Sequence, residues 1–225
     1  MKLYPFLLCG LLAACSTAPT SEQANKATAN TKVETTQDTA TPDMTPKGEF
    51  AQIDVTKSQQ AMDEITNGNG EMINDILQQP NEYAPPVLYL ISAIMFDNDY
   101  QDQATFWFYA AQLRARSDAN KSGDNTTHAA VSQLNKRFGV NIAPYSMSNP
   151  DRLKAIVSQV LEWDSEQTRN YDPRWVALQG QDVTTQTKVN FAPQQKWPEI
   201  DALTRSQFRQ GLEQALAKIK QPTAQ

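Results

Sequence analysis

Between Pro85 and Arg116 the chain concentrates its apolar residues, and this stretch limits the possible folds more than any other. Val87 to Phe96 is apolar except for Ser92. It is too short to cross a bilayer and has no polar face, so it is predicted to be a helix buried on most sides. Asp97, Asn98 and Asp99 interrupt it. A second helix, Asp102 to Arg116, then carries Ala104, Phe106, Trp107, Phe108, Tyr109, Ala110, Ala111 and Leu113. Two apolar helices joined by so short a break fold back on each other as an antiparallel hairpin.

The residues of this hairpin resemble a tetratricopeptide-type repeat over 85–118, about 34 residues and one repeat length. Leu88, Ile91 and Met95 stand at the apolar sites of the first helix, and Ala104, Phe108 and Ala111 match the small-large-small pattern of the second. Ser92 replaces the usual glycine, and Arg116 stands where a closing proline is common. The resemblance implies close helix approach beside an aromatic that fills the gap. A solenoid needs about three such units to bury a continuous core. Thr56 to Gln79, broken at Asn67 to Gly70, is the candidate for a degenerate preceding pair. The expected fold is mainly α, either an irregular helical bundle or a short helical-repeat domain.

Apolar spacing places further helices. Leu153, Ile156, Val157, Val160 and Leu161 recur at three and four residues behind Asn149, a cap, and Pro150, suited to the first helical position. Leu203, Phe208, Leu212, Ala215, Leu216 and Ile219 mark another, with Thr204 and Gln207 at capping-box spacing. Val131, Leu134 and Phe138 mark a third, which Gly139 is expected to end. Asp172 and Pro173 begin a short turn through Arg174 and Trp175 that Gly180 closes, and Pro198 with Glu199 opens another. Val183, Thr185, Thr187, Val189 and Phe191 alternate with polar residues, as do Ala51, Ile53 and Val55. These two stretches either pair as a small two-stranded sheet or run as extended loops.

The N-terminus reads as an address. Lys2 precedes an apolar run, Leu3 to Leu12, too short for a membrane span. Leu12, Ala13, Ala14 and Cys15 close it and resemble the lipobox of bacterial lipoprotein precursors. The resemblance implies removal of residues 1–14 and acylation of Cys15. Ser16, where inner-membrane lipoproteins often carry Asp, then implies the periplasmic face of the outer membrane. Cys9 lies in the removed segment, so lipidation of Cys15 would leave no thiol for a disulfide, a metal or a nucleophile. Residues 15–48, rich in Thr, Ala, Ser, Gln and Pro, cannot bury enough surface to offset ordering and are read as a disordered tether spanning about 30–35 Å. A single helical domain over 49–220 and a disordered tail, 221–225, complete the expected organisation.

No motif fixes an activity. The formal charge of −5, without long runs of one sign, argues against a nucleic-acid face and against attraction to anionic lipid. Membrane contact is therefore expected through the lipid on Cys15 alone. His128 is the one histidine, with Asp124 at helical spacing: a base and its orienter, or surface residues near a helix start. Asp97, Asp99 and Asp102 have calcium-like spacing but lack the turn glycine and distal glutamate of an EF-hand. Glu162, Asp164 and Glu166, with Asp151 and Asp201, contain the carboxylates a glycosidase would use, yet no spacing singles out a pair. Ser146 and Ser148 stand in no nucleophile motif. No catalytic residue, metal ligand or cofactor is therefore assigned.

Two functional readings follow. One is a non-catalytic protein-interaction module, an assembly factor, adaptor or immunity-type inhibitor, with a periplasmic protein partner. Its candidate contact residues are Arg114, Arg116, Arg174 and Trp175. The alternative is an envelope enzyme acting on peptidoglycan or glycan through carboxylates.

Overall fold

The computed structural model describes residues 45–220, and it is mainly helical. The expected signal segment, Cys15, most of the expected tether and residues 221–225 lie outside the described residues. In chain order the α-helices are α1 (Thr56–Thr66), α2 (Glu71–Gln78), α3 (Pro85–Asp97), α4 (Gln101–Lys121), α5 (Thr127–Met147), α6 (Pro150–Glu166), the single turn α7 (Asp182–Thr185) and α8 (Trp197–Lys220). Short 3-10 turns cover Gly48–Gln52, Pro80–Glu82, Pro173–Gln179 and Gln194–Lys196.

The architecture is an irregular bundle organised around α4, which packs against α3, α5, α6, α8 and the 173–179 turn. Composition explains why α4 can occupy the centre. Ala104, Ala111, Ala115 and Ala119, all fully buried, let α3 and α5 approach closely, and Phe108 fills the space beside them. On the opposite side Ala110 and Leu113 meet Leu153, Val157, Val160 and Leu161 of α6 and Phe208 and Leu216 of α8. Each large side chain so buried contributes about 1.5–3 kcal/mol relative to exposure. The α3–α4 hairpin turns where expected. Asn98 caps α3, its side-chain amide donating to the Ile94 carbonyl at 2.7 Å, and Asp99 takes a left-handed φ of 67°.

Helix starts that rest on a cap and a proline match the expectation. Asn149 accepts from the Arg152 amide at 3.1 Å ahead of Pro150, and Asp172 accepts from the Arg174 amide at 2.9 Å ahead of Pro173. Three expectations are corrected. Gly139 does not end α5, which continues to Met147. A Cβ at Gly139 would stand 2.7 Å from the Phe108 ring, so the glycine lets α5 lie against α4. Pro144 is tolerated inside α5 because the carbonyl it leaves unbonded belongs to Val140, which is 68% exposed to water. Thr204 does not cap a helix either: α8 begins at Trp197, and the Pro198-Glu199 turn is its opening rather than a separate element. The Thr204 hydroxyl donates to the Ile200 carbonyl and accepts from Asn120, both at 2.8 Å.

The third correction concerns the sheet: the described residues contain no strand ladder. Val183 to Thr185 coil into α7 and Ala51 lies in a 3-10 turn, so Ile53 and Val55 meet Val183 and Val189 through side chains in a small apolar cluster and not through a ladder. The Ala192 amide donates to the Lys121 carbonyl at 2.7 Å and the Gly123 amide to that of Asn190 at 2.8 Å, leaving one isolated bridge, Ser122 with Phe191. At the other end of that stretch the Glu49 amide donates to the Thr187 carbonyl at 2.8 Å. Gly48 makes this approach possible, with φ of 60° and no room for a Cβ against Thr187.

Candidate functional site: a charge cluster beneath a two-lobed cleft

Arg114, Asp118 and Lys121 follow one another at helical spacing on α4, and all three are buried. Burying charges is costly unless they are paired, so the surrounding elements supply partners. Arg114 donates from Nε to Asp164 of α6 at 2.9 Å and from Nη2 to Asn81 at 2.7 Å. Its guanidinium lies 4.1 Å from the centre of the Trp163 ring, and Nη1 has no hydrogen-bond partner. Arg169, from the segment between α6 and the 173–179 turn, reaches both oxygens of Asp164 through Nη2, and Arg205 of α8 adds a bond from Nη1 at 3.0 Å. Burial pushes the Asp164 carboxyl upward, but Arg169 and Arg114 more than offset it and hold it at about 2.

Asp118 accepts from the Tyr171 hydroxyl at 3.0 Å, from the Trp175 indole at 2.9 Å and from Lys121 at 3.2 Å. Here burial wins: the carboxyl is raised above its usual value although Lys121 and Arg169 lower it. Burial and the neighbouring Asp118 likewise push the Tyr171 hydroxyl well up. Asp201, on the first turns of α8, closes the cluster, paired with Lys121 at 2.7 Å and Arg169 at 3.0 Å and accepting from the Ser117 hydroxyl.

Above this cluster the surface opens into two lobes. The larger, about 720 Å³, is walled by Asp54, Lys57, Glu82, Asn170, Asp172 and Arg174, among others. Lys57 pairs with Glu82 there at 3.2 Å. The smaller, about 440 Å³, is walled by Lys121, Asp164, Thr168, Asp201 and Arg205, among others. Arg169, Tyr171, Pro173, Gln194 and Trp197 line both, so the lobes share a wall. Both volumes lie within the ~300–1,000 Å³ usual for ligand pockets.

The residues singled out from sequence separate into different environments. Arg114 and Trp175 come together inside the cluster, buried and bonded to Asp164 and Asp118, so neither offers a surface to a partner. That corrects their assignment as contact residues. Their acidic partners lie 50 and 57 positions away in the chain, beyond the reach of any local spacing. Arg174 lines the larger lobe, held by both oxygens of Asp172 at 3.0 and 2.7 Å, and Arg116 is exposed on α4 outside the cluster. Among the carboxylates, Asp164 and Asp201 meet through Arg169, whereas Glu162 and Glu166 stay on the solvated side of α6.

Asp124 accepts from Thr126 and from the Asp182 amide, while His128 is exposed on α5, so these two are not a base and its orienter. Ser146 is buried against the Tyr109 hydroxyl. Asp102 accepts from Tyr145 at 3.1 Å, and no group of three or more His, Cys, Asp or Glu side chains among the described residues is placed to hold a metal. Asp118, Lys121, Arg169 and Arg205 went unnoticed in the sequence. For the first two there was a signal: opposite charges at i, i+4 and i+7 from Arg114 on a helix otherwise lined with alanine and aromatics. No family model, curated protein or solved structure matches the chain.

Proposed function

We propose that this protein is a lipid-anchored lipoprotein at the periplasmic face of the outer membrane. Its helical domain is a non-catalytic module that binds a periplasmic protein through the two-lobed cleft, as an assembly factor, adaptor or immunity-type inhibitor. The state of the carboxylates around that cleft carries the reading. A glycosidase-type pair needs one carboxyl that is protonated near neutral pH and within reach of substrate. Asp164 is held at about 2 by its arginines, and Asp201 is clamped between Lys121 and Arg169. Asp118, the one raised carboxyl of the cluster, is fully buried. The cleft therefore presents donors and acceptors fixed by ion pairs, an arrangement suited to recognition.

A photo-reactive residue at Gln194 or Thr168, both exposed on the cleft walls, is expected to trap one defined protein in cells. The same group at Lys218, exposed on α8 about 20 Å along the helix from Arg205, is expected to trap none. Indiscriminate products at all three positions would overturn the module reading. The anchoring part of the proposal is supported by the Leu12 to Cys15 pattern and by the absence, among the described residues, of a helix long and apolar enough to cross a membrane.

A further inference from the structure

The cluster contains four cations, Arg114, Lys121, Arg169 and Arg205, and three carboxylates, Asp118, Asp164 and Asp201. The surplus charge has a location. Arg114 and Lys121 are buried, and Arg169 is committed through Nη1 to Asp201 and through Nη2 to Asp164. Arg205 gives only Nη1 to Asp164, its side chain is 23% exposed, and it lines the smaller lobe. An arginine with part of its donor fork uncommitted, at the edge of a cavity, is suited to a planar anion. At the smaller lobe itself Lys121, Arg169 and Arg205 exceed Asp164 and Asp201 by one charge, which matches a monoanion. The second charge of a phosphate would face Asp164 and Asp201 on the same wall.

The shared wall bears on the rest of the ligand. Gln194 belongs to both lobes, and the larger one adds Asn170, Lys57 and Glu82. Lys57 and Asn170 are themselves bonded to Glu82, at 3.2 and 2.7 Å, so this wall is polar and held in place, a lining that suits a peptide rather than an acyl chain.

We propose that the smaller lobe receives the C-terminal carboxylate of a peptide, paired with Arg205, and that the larger lobe holds the residues preceding it. The inference rests on the binding-module reading and specifies what the module recognises. It is tested by calorimetric titration of the purified full chain with trialanine, trialanine amide, a blocked tripeptide amide carrying an internal glutamate, and inorganic phosphate. Trialanine is expected to bind, and its amide to bind weaker by about tenfold or more, the scale of one charge-assisted hydrogen-bonded pair. Arg205→Gln is expected to erase that difference, while Arg209→Gln, at an exposed position on the same helix, leaves it intact.

Equal binding of acid and amide, no binding of trialanine at millimolar concentration, or preference for phosphate or the glutamate peptide would each overturn the proposal. The acid-amide comparison on the unaltered chain decides it even if Arg205→Gln does not fold. Failure here with a partner still trapped at Gln194 leaves the module reading standing, whereas loss of the trapped partner removes that reading itself.

Discussion

Arg114 shows how differently neighbouring residues on one helix can behave. Replacing it with Leu removes one of three arginines from Asp164, the bond to Asn81 and the packing against Trp163. Breaking a buried pair typically costs about 3–5 kcal/mol, and the arginines that remain place Arg114→Leu at about 3 kcal/mol. Arg116→Ala, two positions on but exposed, is expected to stay within about 0.5 kcal/mol, and denaturant unfolding of the two variants checks the contrast.

The same cluster sets a pH dependence. Asp164, depressed to about 2 in the folded state, contributes stability that is present above its ordinary value near 3.8 and lost as pH falls toward 2, roughly 2 kcal/mol in all. Asp118 has the opposite sign: because its folded value is raised, its contribution is present at low pH and lost as pH rises through that value. Unfolding midpoints measured against pH should therefore fall on the acid side, and Asp164→Asn should flatten that limb. Asp118→Asn should instead flatten the change at higher pH.

At the scale of elements, apolar periodicity was a sound guide wherever a helix buries one stripe. The α3–α4 hairpin and α6 were legible in outline from Val87 to Leu161, and so were the starts at Asn149 and Asp172, where cap and proline act locally. Boundaries failed where a residue with local meaning is used for a distant contact. Gly139 looks like a helix end but serves Phe108, and Thr204 looks like a cap but serves Asn120. The charge cluster was half legible for the same reason. Arg114, Asp118 and Lys121 share a helix face, but Arg169, Asp201 and Arg205 reach it only through tertiary structure, and no spacing announces them.

Two glycines test this distinction. Gly139→Ala forces a Cβ against Phe108 and should destabilise by about 1–3 kcal/mol. Gly211→Ala, in α8 with open space around it, should stabilise by about 0.5–1 kcal/mol, and thermal unfolding of the two should shift in opposite directions.

For the whole molecule, the anchor and the cleft are separate propositions with separate tests. Cys15→Ser is expected to abolish incorporation of labelled fatty acid and to release the domain from membranes. Circular dichroism of the helical domain should remain unchanged. Retained labelling would refute the lipoprotein assignment without touching the cleft. A domain of this kind needs no thiol to hold its core, because α4 supplies small residues to two apolar clusters and charges to a third set of contacts.

The enclosure of α4 has a consequence for how the domain comes apart. Its inner amides can meet deuterated solvent only after α3, α5, α6, α8 and the 173–179 turn have given way, so exchange at Ala104 to Ala119 reports the free energy of complete unfolding. Proteolytic fragments that lose α6 and α8 would strip one flank of that axis bare. The domain has no half that carries a finished interior.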